Sequence, residues 1–383
     1  MNGFITDIPR QTILINGETF TADDARAGNC QPSRLQKLFR RQAGEDSFLA
    51  ALADFLAEWF DEKETVRVHT SGSTGTPKEL YVEKRRMMNS AMLTISFLHL
   101  QRGDTALLCM PLQYIAGKMV VVRALVAGLN LLTVTPCGHP LQQLKENPVF
   151  AALIPMQVYN SLQIPEECER LKAVRQLIIG GGAVDPTIVQ ALQSFPHDVW
   201  STYGMTETLS HIALRKLNGA QASEWYTPFD QVTLTRSEEG TLVINAPQVC
   251  AERLVTNDII EFNASGQFCI IGRKDNTINT GGVKVQIEQV EAALTPLLPF
   301  PFLITSAPDI KFGERIVLLV QISGDQLTEE ERQTISEAFN HLPAYWRPKQ
   351  IIPVDALPLT GTGKPDRATA KKIARESAYH PIQ

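Results

Sequence analysis

Along the first part of the chain, short apolar runs bounded by Gly and Pro alternate with longer amphipathic stretches, the pattern of successive β-α units. Val66-Arg67-Val68-His69 reads as a strand. Residues 105–110 read as a strand, 117–127 as a helix and 130–136 as a strand. The alternation continues with a strand at 150–154, a helix at 156–162, and a strand at 175–179 that runs into Gly180-Gly181-Gly182. Asp185-Pro186 then supplies an N-cap and a first-turn proline for a helix through 195. After Tyr203 the pattern turns toward β, with short strands at 240–245, 258–262 and 267–271 separated by polar turns, as in a small barrel-like or twisted sheet. Beyond Asp275 a compact α+β unit is predicted, with helices at 286–294 and 328–341 and strands at 302–306 and 316–322. The fold class is therefore α/β. A large N-terminal domain of β-α layers with a small β subdomain spans 1–274, and a small α+β C-terminal domain spans 275–383.

Composition narrows the function classes. The 383 residues are 44% hydrophobic, enough to bury more than one core. A net charge of −5 provides no broad basic field for nucleic acid or an anionic membrane, so neither is an expected partner. Neither a signal-like N-terminus nor an apolar run of roughly 18 residues is seen, which points to a cytoplasmic protein. The six cysteines form no C-x-x-C pair, and several sit in apolar runs, so buried reduced thiols are expected. The seven histidines lack metal-ligand spacing.

Candidate chemistry begins at Thr70-Ser71-Gly72-Ser73-Thr74-Gly75-Thr76-Pro77-Lys78, directly after the Val66-Arg67-Val68-His69 strand. Glycines let backbone N–H groups converge on an anion with no Cβ in the way, while the hydroxyls and the lysine ammonium add donors. Pro77 before Lys78 and Glu79 after it depart from the Walker pattern, so an ordinary P-loop NTPase is disfavoured. Taken alone, such a loop is equally an unspecialised turn. Four further segments follow: Tyr203-Gly204-Met205-Thr206-Glu207-Thr208, Thr256-Asn257-Asp258, Gly272-Arg273-Lys274-Asp275-Asn276, and Pro358-Leu359-Thr360-Gly361-Thr362-Gly363-Lys364-Pro365-Asp366-Arg367.

In this order, the five segments resemble the motifs of the acyl-adenylate-forming enzymes, the superfamily of acyl-CoA synthetases, peptide-synthetase adenylation domains and luciferases. The resemblance implies ATP, Mg²⁺ and coenzyme A as cofactors and a small-molecule carboxylic acid as substrate. It implies that Thr70, Ser71, Gly72, Ser73, Thr74, Gly75 and Lys78 hold the β- and γ-phosphates. Thr206 would donate to phosphate, Glu207 would ligate the metal, and Tyr203 would stack on adenine while Gly180, Gly181 and Gly182 let backbone approach the base. Asp258 would bind the ribose, Arg273 ribose or phosphate, and Asp275 would be the hinge of a mobile C-terminal domain. Lys364 would be the catalytic lysine, with Gly281, Gly282 and Lys284 moving toward a pantetheine tunnel after the first half-reaction. In isolation, Thr206-Glu207 reads as a helix cap with a first-turn acid, and Lys364 as a solvated loop lysine.

The acid is marked by Pro111-Leu112-Gln113-Tyr114-Ile115-Ala116-Gly117, where Tyr114 stands at a position usually held by histidine in relatives. With Ile154-Pro155-Met156-Gln157-Val158-Tyr159 and Thr208-Leu209-Ser210-His211-Ile212-Ala213-Leu214-Arg215, it resembles o-succinylbenzoate:CoA ligases of menaquinone biosynthesis. That resemblance implies an aromatic dicarboxylate, whose second carboxylate must be paired when the ring is enclosed. Lys118, Arg123, His211 and Arg215 are the candidates, with Tyr114 as a gate. Another aryl or medium-chain acyl-CoA ligase, an enzyme loading a carrier-protein thiol, and a non-catalytic nucleotide-binding regulator remain open, and homo-oligomerisation is compatible with the sequence.

Overall fold

The computed structural model describes residues 3–28, 31–69, 79–322, 326–360 and 365–377. The chain divides into two compact units: Met1–Leu234 with Ile244–Leu254 and Ala264–Gln267, and Thr235–Val243 with Val255–Asn263 and Phe268–Gln383.

The first unit is built on a nine-stranded sheet among the described residues. Its order is Thr227–Pro228, His211–Lys216, Asp198–Gly204, Gln176–Ile179, Phe150–Leu153, Thr105–Leu108, Asn130–Thr133, Thr12–Ile15, Glu18–Thr21. From Asp198–Gly204 through to Thr12–Ile15 neighbouring strands run parallel, and antiparallel pairs occur at the two edges. Parallel strands need both faces covered. The alternation supplies this: Ala106 and Leu108 pack with Val120 and Leu125 of the helix Ile115–Ala127. Leu107 and Cys109 face the other way, with Val158, Leu171, Ile188 and Leu192 from the helices Pro155–Gln163, Pro165–Lys172 and Pro186–Leu192.

The predicted elements of this unit form, with shifted ends. The helix after Asp185 stops at Leu192 rather than 195, although the Asp185 side chain caps it as expected by accepting from the Thr187 N–H. The cysteine expectation is corrected: Cys109 is buried, but Cys137 is exposed and Cys168, Cys250 and Cys269 are half-buried, all as free thiols. Cys30 lies outside the described residues. No helix among the described residues is long and apolar enough to cross a membrane.

In the second unit a five-stranded sheet is ordered Val283–Gln286, Thr277–Thr280, Gly313–Gln321, Phe302–Asp309, with Gln350–Val354 also paired to Gly313–Gln321. Ile304, Ile316 and Leu318 pack with Val290, Leu294, Ile335 and Phe339 from the helices Ile287–Leu294 and Glu329–Asn340. Leu303, Val317 and Leu319 pack on the opposite face with Ala370 and Ala374 of the helix Arg367–Glu376.

A four-stranded sheet joins Thr233–Arg236, Thr241–Asn245, Leu254–Phe262 and Phe268–Arg273. Most of it groups with the second unit, so the compact division falls ahead of residue 275. Gly272 shows why. A Cβ there would lie 2.7 Å from both Gln286 Oε1 and Glu288 Oε2, so these short strands approach the C-terminal elements at backbone distance.

Candidate active site

Chain order in the parallel sheet reverses at Thr105–Leu108. The connection through Ile115–Ala127 leads to Asn130–Thr133 on one side, and the chain then returns to Phe150–Leu153 on the other. Ligands of open α/β sheets bind beyond the strand carboxyl ends at such a reversal. Tyr114, half-buried, follows one of these strands, and Gly180-Gly181-Gly182 and the turn after Gly204 follow two others.

The 70–78 loop, with Thr70, Ser71, Gly72, Ser73, Thr74, Gly75 and Lys78, lies outside the described residues. Its flanks are the antiparallel pair Thr65–His69 and Glu79–Glu83, in which His69 faces Glu79. Lys118 holds this ribbon. Its Nζ donates to the Arg67 carbonyl, lies 3.5 Å from Glu58 Oε2, and stands 4.9 Å from the Phe55 ring centre. Burial lowers the lysine pKa while Glu58 opposes the shift. Lys118 is thus a buried anchor between helix and ribbon, already paired.

The segment after Asp198–Gly204 folds back on itself. A Cβ on Gly204 would sit 2.2 Å from the Ser210 carbonyl oxygen, so only glycine permits the return. Thr208 Oγ1 accepts from the Met205 N–H at 3.0 Å and donates to the Ser210 carbonyl at 2.7 Å, and Leu209 takes a φ of 65°. Thr206 and Glu207 lie within this closed turn, Thr206 half-buried and Glu207 exposed. Tyr203 is 7% exposed, with its ring edge-on to Tyr226 at 6.0 Å. Gly180 also touches this strand, since a Cβ there would meet Thr202 Oγ1 at 2.5 Å.

Arg123 and His211 converge on Ser210, with Arg123 Nη2 donating to its Oγ at 2.7 Å. His211 Nδ1 lies 3.3 Å from the same oxygen, and its Nε2 lies 3.0 Å from Thr94 Oγ1. Burial, with Arg123 adding repulsion, pushes His211 well below the usual imidazole range. Burial pushes the Arg123 guanidinium down to about 9, leaving it charged at neutral pH. Arg215 is elsewhere: it pairs with Glu224 and lies over the Tyr226 ring at 5.5 Å. Of the cations considered for a second carboxylate, Lys118 and Arg215 therefore already face carboxylates.

In the second unit, Arg273 faces Asp258 across paired strands and donates to Asp258 Oδ1 at 3.1 Å. Its other nitrogens reach both oxygens of Asp275. The Asp275 hydrogen bonds, with Asp258 adding its charge, raise the arginine pKa against burial. Gly281 and Gly282 form the two-residue turn of the hairpin Thr277–Thr280 and Val283–Gln286, with φ of 59° and 84°, which fits a type I′ turn. Lys364 lies outside the described residues. Leu359 pairs with Pro365, and the Asp366 N–H donates to the Pro358 carbonyl at 2.9 Å, so the chain on either side of that stretch is tied together.

Sequence reading missed Thr94, Ser210 and Tyr226 as members of this constellation. Ser210 lies within the quoted Thr208–Arg215 segment but was given no role there. Nothing local marks Thr94 or Tyr226, whose partners are distant in the chain.

A family model described as AMP-binding enzyme matches residues 27–246. A Mycobacterium tuberculosis protein described as "Probable 2-succinylbenzoate--CoA ligase" is 29% identical over 361 residues, covering 87% of this chain and 90% of the relative. The acyl-CoA synthetase (AMP-forming)/AMP-acid ligase II-like protein of Dyadobacter fermentans has a solved structure that is 31% identical, covers 85% of this chain and 93% of that one, and superposes with a TM-score of 0.57. The wild-type E. coli MenE structure, with a bound analogue of OSB-AMS, has a TM-score of 0.66 at 18% identity over 95% of this chain and 96% of that one, a likeness of fold. Since the family match runs from the N-terminal helices across the parallel sheet and the closed turn at Gly204, this chain belongs to the AMP-binding enzyme family.

Proposed function

We propose that the protein is an ATP-dependent, AMP-forming acid:CoA ligase whose acid is o-succinylbenzoate. A carboxylate oxygen of the acid attacks the α-phosphorus of ATP, forming the acyl-adenylate as the bond to pyrophosphate breaks. The thiolate sulfur of coenzyme A, its proton passed to solvent, then attacks the acyl carbon, and AMP leaves with the oxygen. Both steps bring anions together, so positioning and charge neutralisation are expected to supply most of the rate.

The observation that carries this reading is the closed turn at Gly204, which presents Thr206 and an exposed Glu207 beyond the carboxyl end of a parallel strand. Glu207 makes no ion pair among the described residues, and a free carboxylate suits Mg²⁺, a hard cation that favours oxygen. When bound, the metal would neutralise phosphate charge. In this proposal the residues at 70–78 hold the phosphates, Tyr203 and the Gly180-Gly181-Gly182 turn meet the adenine, Asp258 and Arg273 bind the ribose, and Lys364 stabilises charge during adenylation. A pivot at Asp275 that brings Gly281 and Gly282 into the second half-reaction is part of the same proposal, as is a cytoplasmic location. The name of the Mycobacterium relative supports o-succinylbenzoate.

The test is to incubate the full chain with MgATP, coenzyme A and a panel of acids, following AMP and thioester. The expected outcome is a kcat/KM for o-succinylbenzoate at least about tenfold above those for benzoate and medium-chain acids, consistent with one well-paired carboxylate. Equal use of a plain aryl acid would overturn the substrate. AMP formation without a CoA thioester would favour a carrier thiol.

A further inference from the structure

Two oxygen atoms of the second unit share one buried spot, and neither has a donor. Gln286 is 9% exposed, and its Oε1 is buried without a hydrogen-bond partner among the described residues. The same is true of Glu288 Oε2. Both lie 2.7 Å from the point that a Cβ on Gly272 would occupy, so they crowd together against the strand Phe268–Arg273.

Their orientation is fixed by neighbours. Thr277 Oγ1 donates to the Arg273 carbonyl at 3.4 Å, so it accepts from Gln286 Nε2 at 2.9 Å and leaves the amide oxygen as the free end. The other Glu288 oxygen accepts from Asn276 Nδ2 at 2.5 Å. The charged groups around Glu288 are engaged elsewhere. On the helix Arg367–Glu376, Arg367 is held by both oxygens of Glu291, which shares the helix Ile287–Leu294 with Glu288. Arg273 is taken by Asp275 and Asp258, while Lys284 on Val283–Gln286 is exposed. Glu288 itself makes no ion pair among the described residues.

Two acceptors cannot bond to each other. A proton on Glu288 Oε2 supplies the donor that Gln286 Oε1 lacks and removes a buried charge at the same time. Burial does raise the Glu288 pKa, with Glu291 adding to the rise and Asn276, its own N–H and Arg367 opposing it. Gly272 precedes the expected hinge residue Asp275, whereas Asn276, Gln286 and Glu288 follow it. A pivot at Asp275 would therefore draw both oxygens away from Gly272 and into water.

We propose that Glu288 binds a proton in this arrangement and passes it to solvent when the chain pivots at Asp275, so that the movement is proton-linked. The inference rests on the pivot included in the function proposed above. Exposure returns the carboxyl to its ordinary range. The proton-bound arrangement is thus fully favoured below the ordinary value of 4.5 and loses favour as pH rises through the raised one.

The test compares the full-length wild type with Glu288→Gln. Infrared difference spectra between the two should show a protonated-carboxyl band in the wild type that disappears only above the ordinary glutamate value of about 4.3. Pyrophosphate exchange and single-turnover transfer to coenzyme A are then followed across pH. Relative to the variant, the balance of the two wild-type half-reactions should shift with pH, by up to about tenfold per unit between the two carboxyl values. A group that only supports the fold would change the melting temperature and leave that balance alone.

Absence of the band at every pH overturns the proposal, as does a balance that follows pH identically in both proteins. Glu288→Gln should fold, since its amide can donate to Gln286 and accept from Asn276 as a protonated carboxyl does. A variant that fails to fold would mean that the carboxyl is ionised, and would overturn the assignment. A wild type that forms neither adenylate nor thioester fails the functional reading instead, and the infrared titration still decides whether Glu288 holds the proton.

Discussion

Arg273 and Asp275 are joined by two hydrogen bonds of 3.1 Å each, Nε to Oδ1 and Nη2 to Oδ2, two residues apart where the strand Phe268–Arg273 ends. The same guanidinium reaches Asp258 across the sheet. A residue that the sequence marks as a hinge is therefore held to the side chain expected to meet the ribose.

The clamp sets unequal costs. Asp275 is about half exposed, so its pair with a 42% exposed arginine side chain is screened by solvent. Asp275→Asn is expected to cost less than about 1 kcal/mol in a urea melt. Arg273→Met also deprives Asp258, which is 9% exposed, of a charged donor. It should cost about 1.5–3 kcal/mol, the range for hydrogen bonds to charged groups. Equal costs for the two variants would refute the clamp.

Lys364→Ala should slow adenylation by about a hundredfold or more, the scale of removing a positioned charge stabiliser. Thioester formation from pre-formed acyl-adenylate should be little changed. The two half-reactions are separable by pyrophosphate exchange and by single-turnover transfer to coenzyme A. An undiminished exchange rate would remove Lys364 from the chemistry.

His211 makes stability depend on pH. Its folded-state pKa lies well below the unperturbed 6.5, so the unfolded chain binds a proton at His211 more readily than the native one. The contribution is therefore fully present above pH 6.5 and is lost as pH falls from there toward the folded value. Protonation would also place a second cation beside Arg123. Thermal melts of wild type and His211→Gln between about pH 5 and 8 check this, because the variant should show a flatter profile below 6.5. Identical profiles would exclude His211 as the source.

Thiol reactivity should separate two cysteines. Burial pushes the Cys109 thiol up to about 12, and Cys109 is 1% exposed. It should resist alkylation until the protein unfolds, whereas Cys137 is exposed and should react in the native state. Mass spectrometry after brief iodoacetamide treatment distinguishes them, and rapid native labelling of Cys109 would contradict its packing between strand and helices.

The alternation of apolar runs with amphipathic stretches was enough to place the strands Thr105–Leu108, Phe150–Leu153 and Gln176–Ile179 and the helices between them. These signals are local, arising from side-chain period and from Gly, Pro and capping residues such as Asp185. The five ordered motifs were likewise written in neighbouring residues, and they carried the family.

What the tertiary structure alone decided was which partner each cation takes. Lys118 reaches Glu58 and the Arg67 carbonyl, Arg215 takes Glu224, and Arg123 meets Ser210 far along the chain. No periodicity encodes such choices, because they depend on how helix and sheet faces are brought together and on which charges that packing removes from water. The sequence determined that this chain has the layered α/β build and the motifs of an adenylate-forming enzyme. Packing determined which of its basic side chains are already neutralised by acids and which one is buried against a serine.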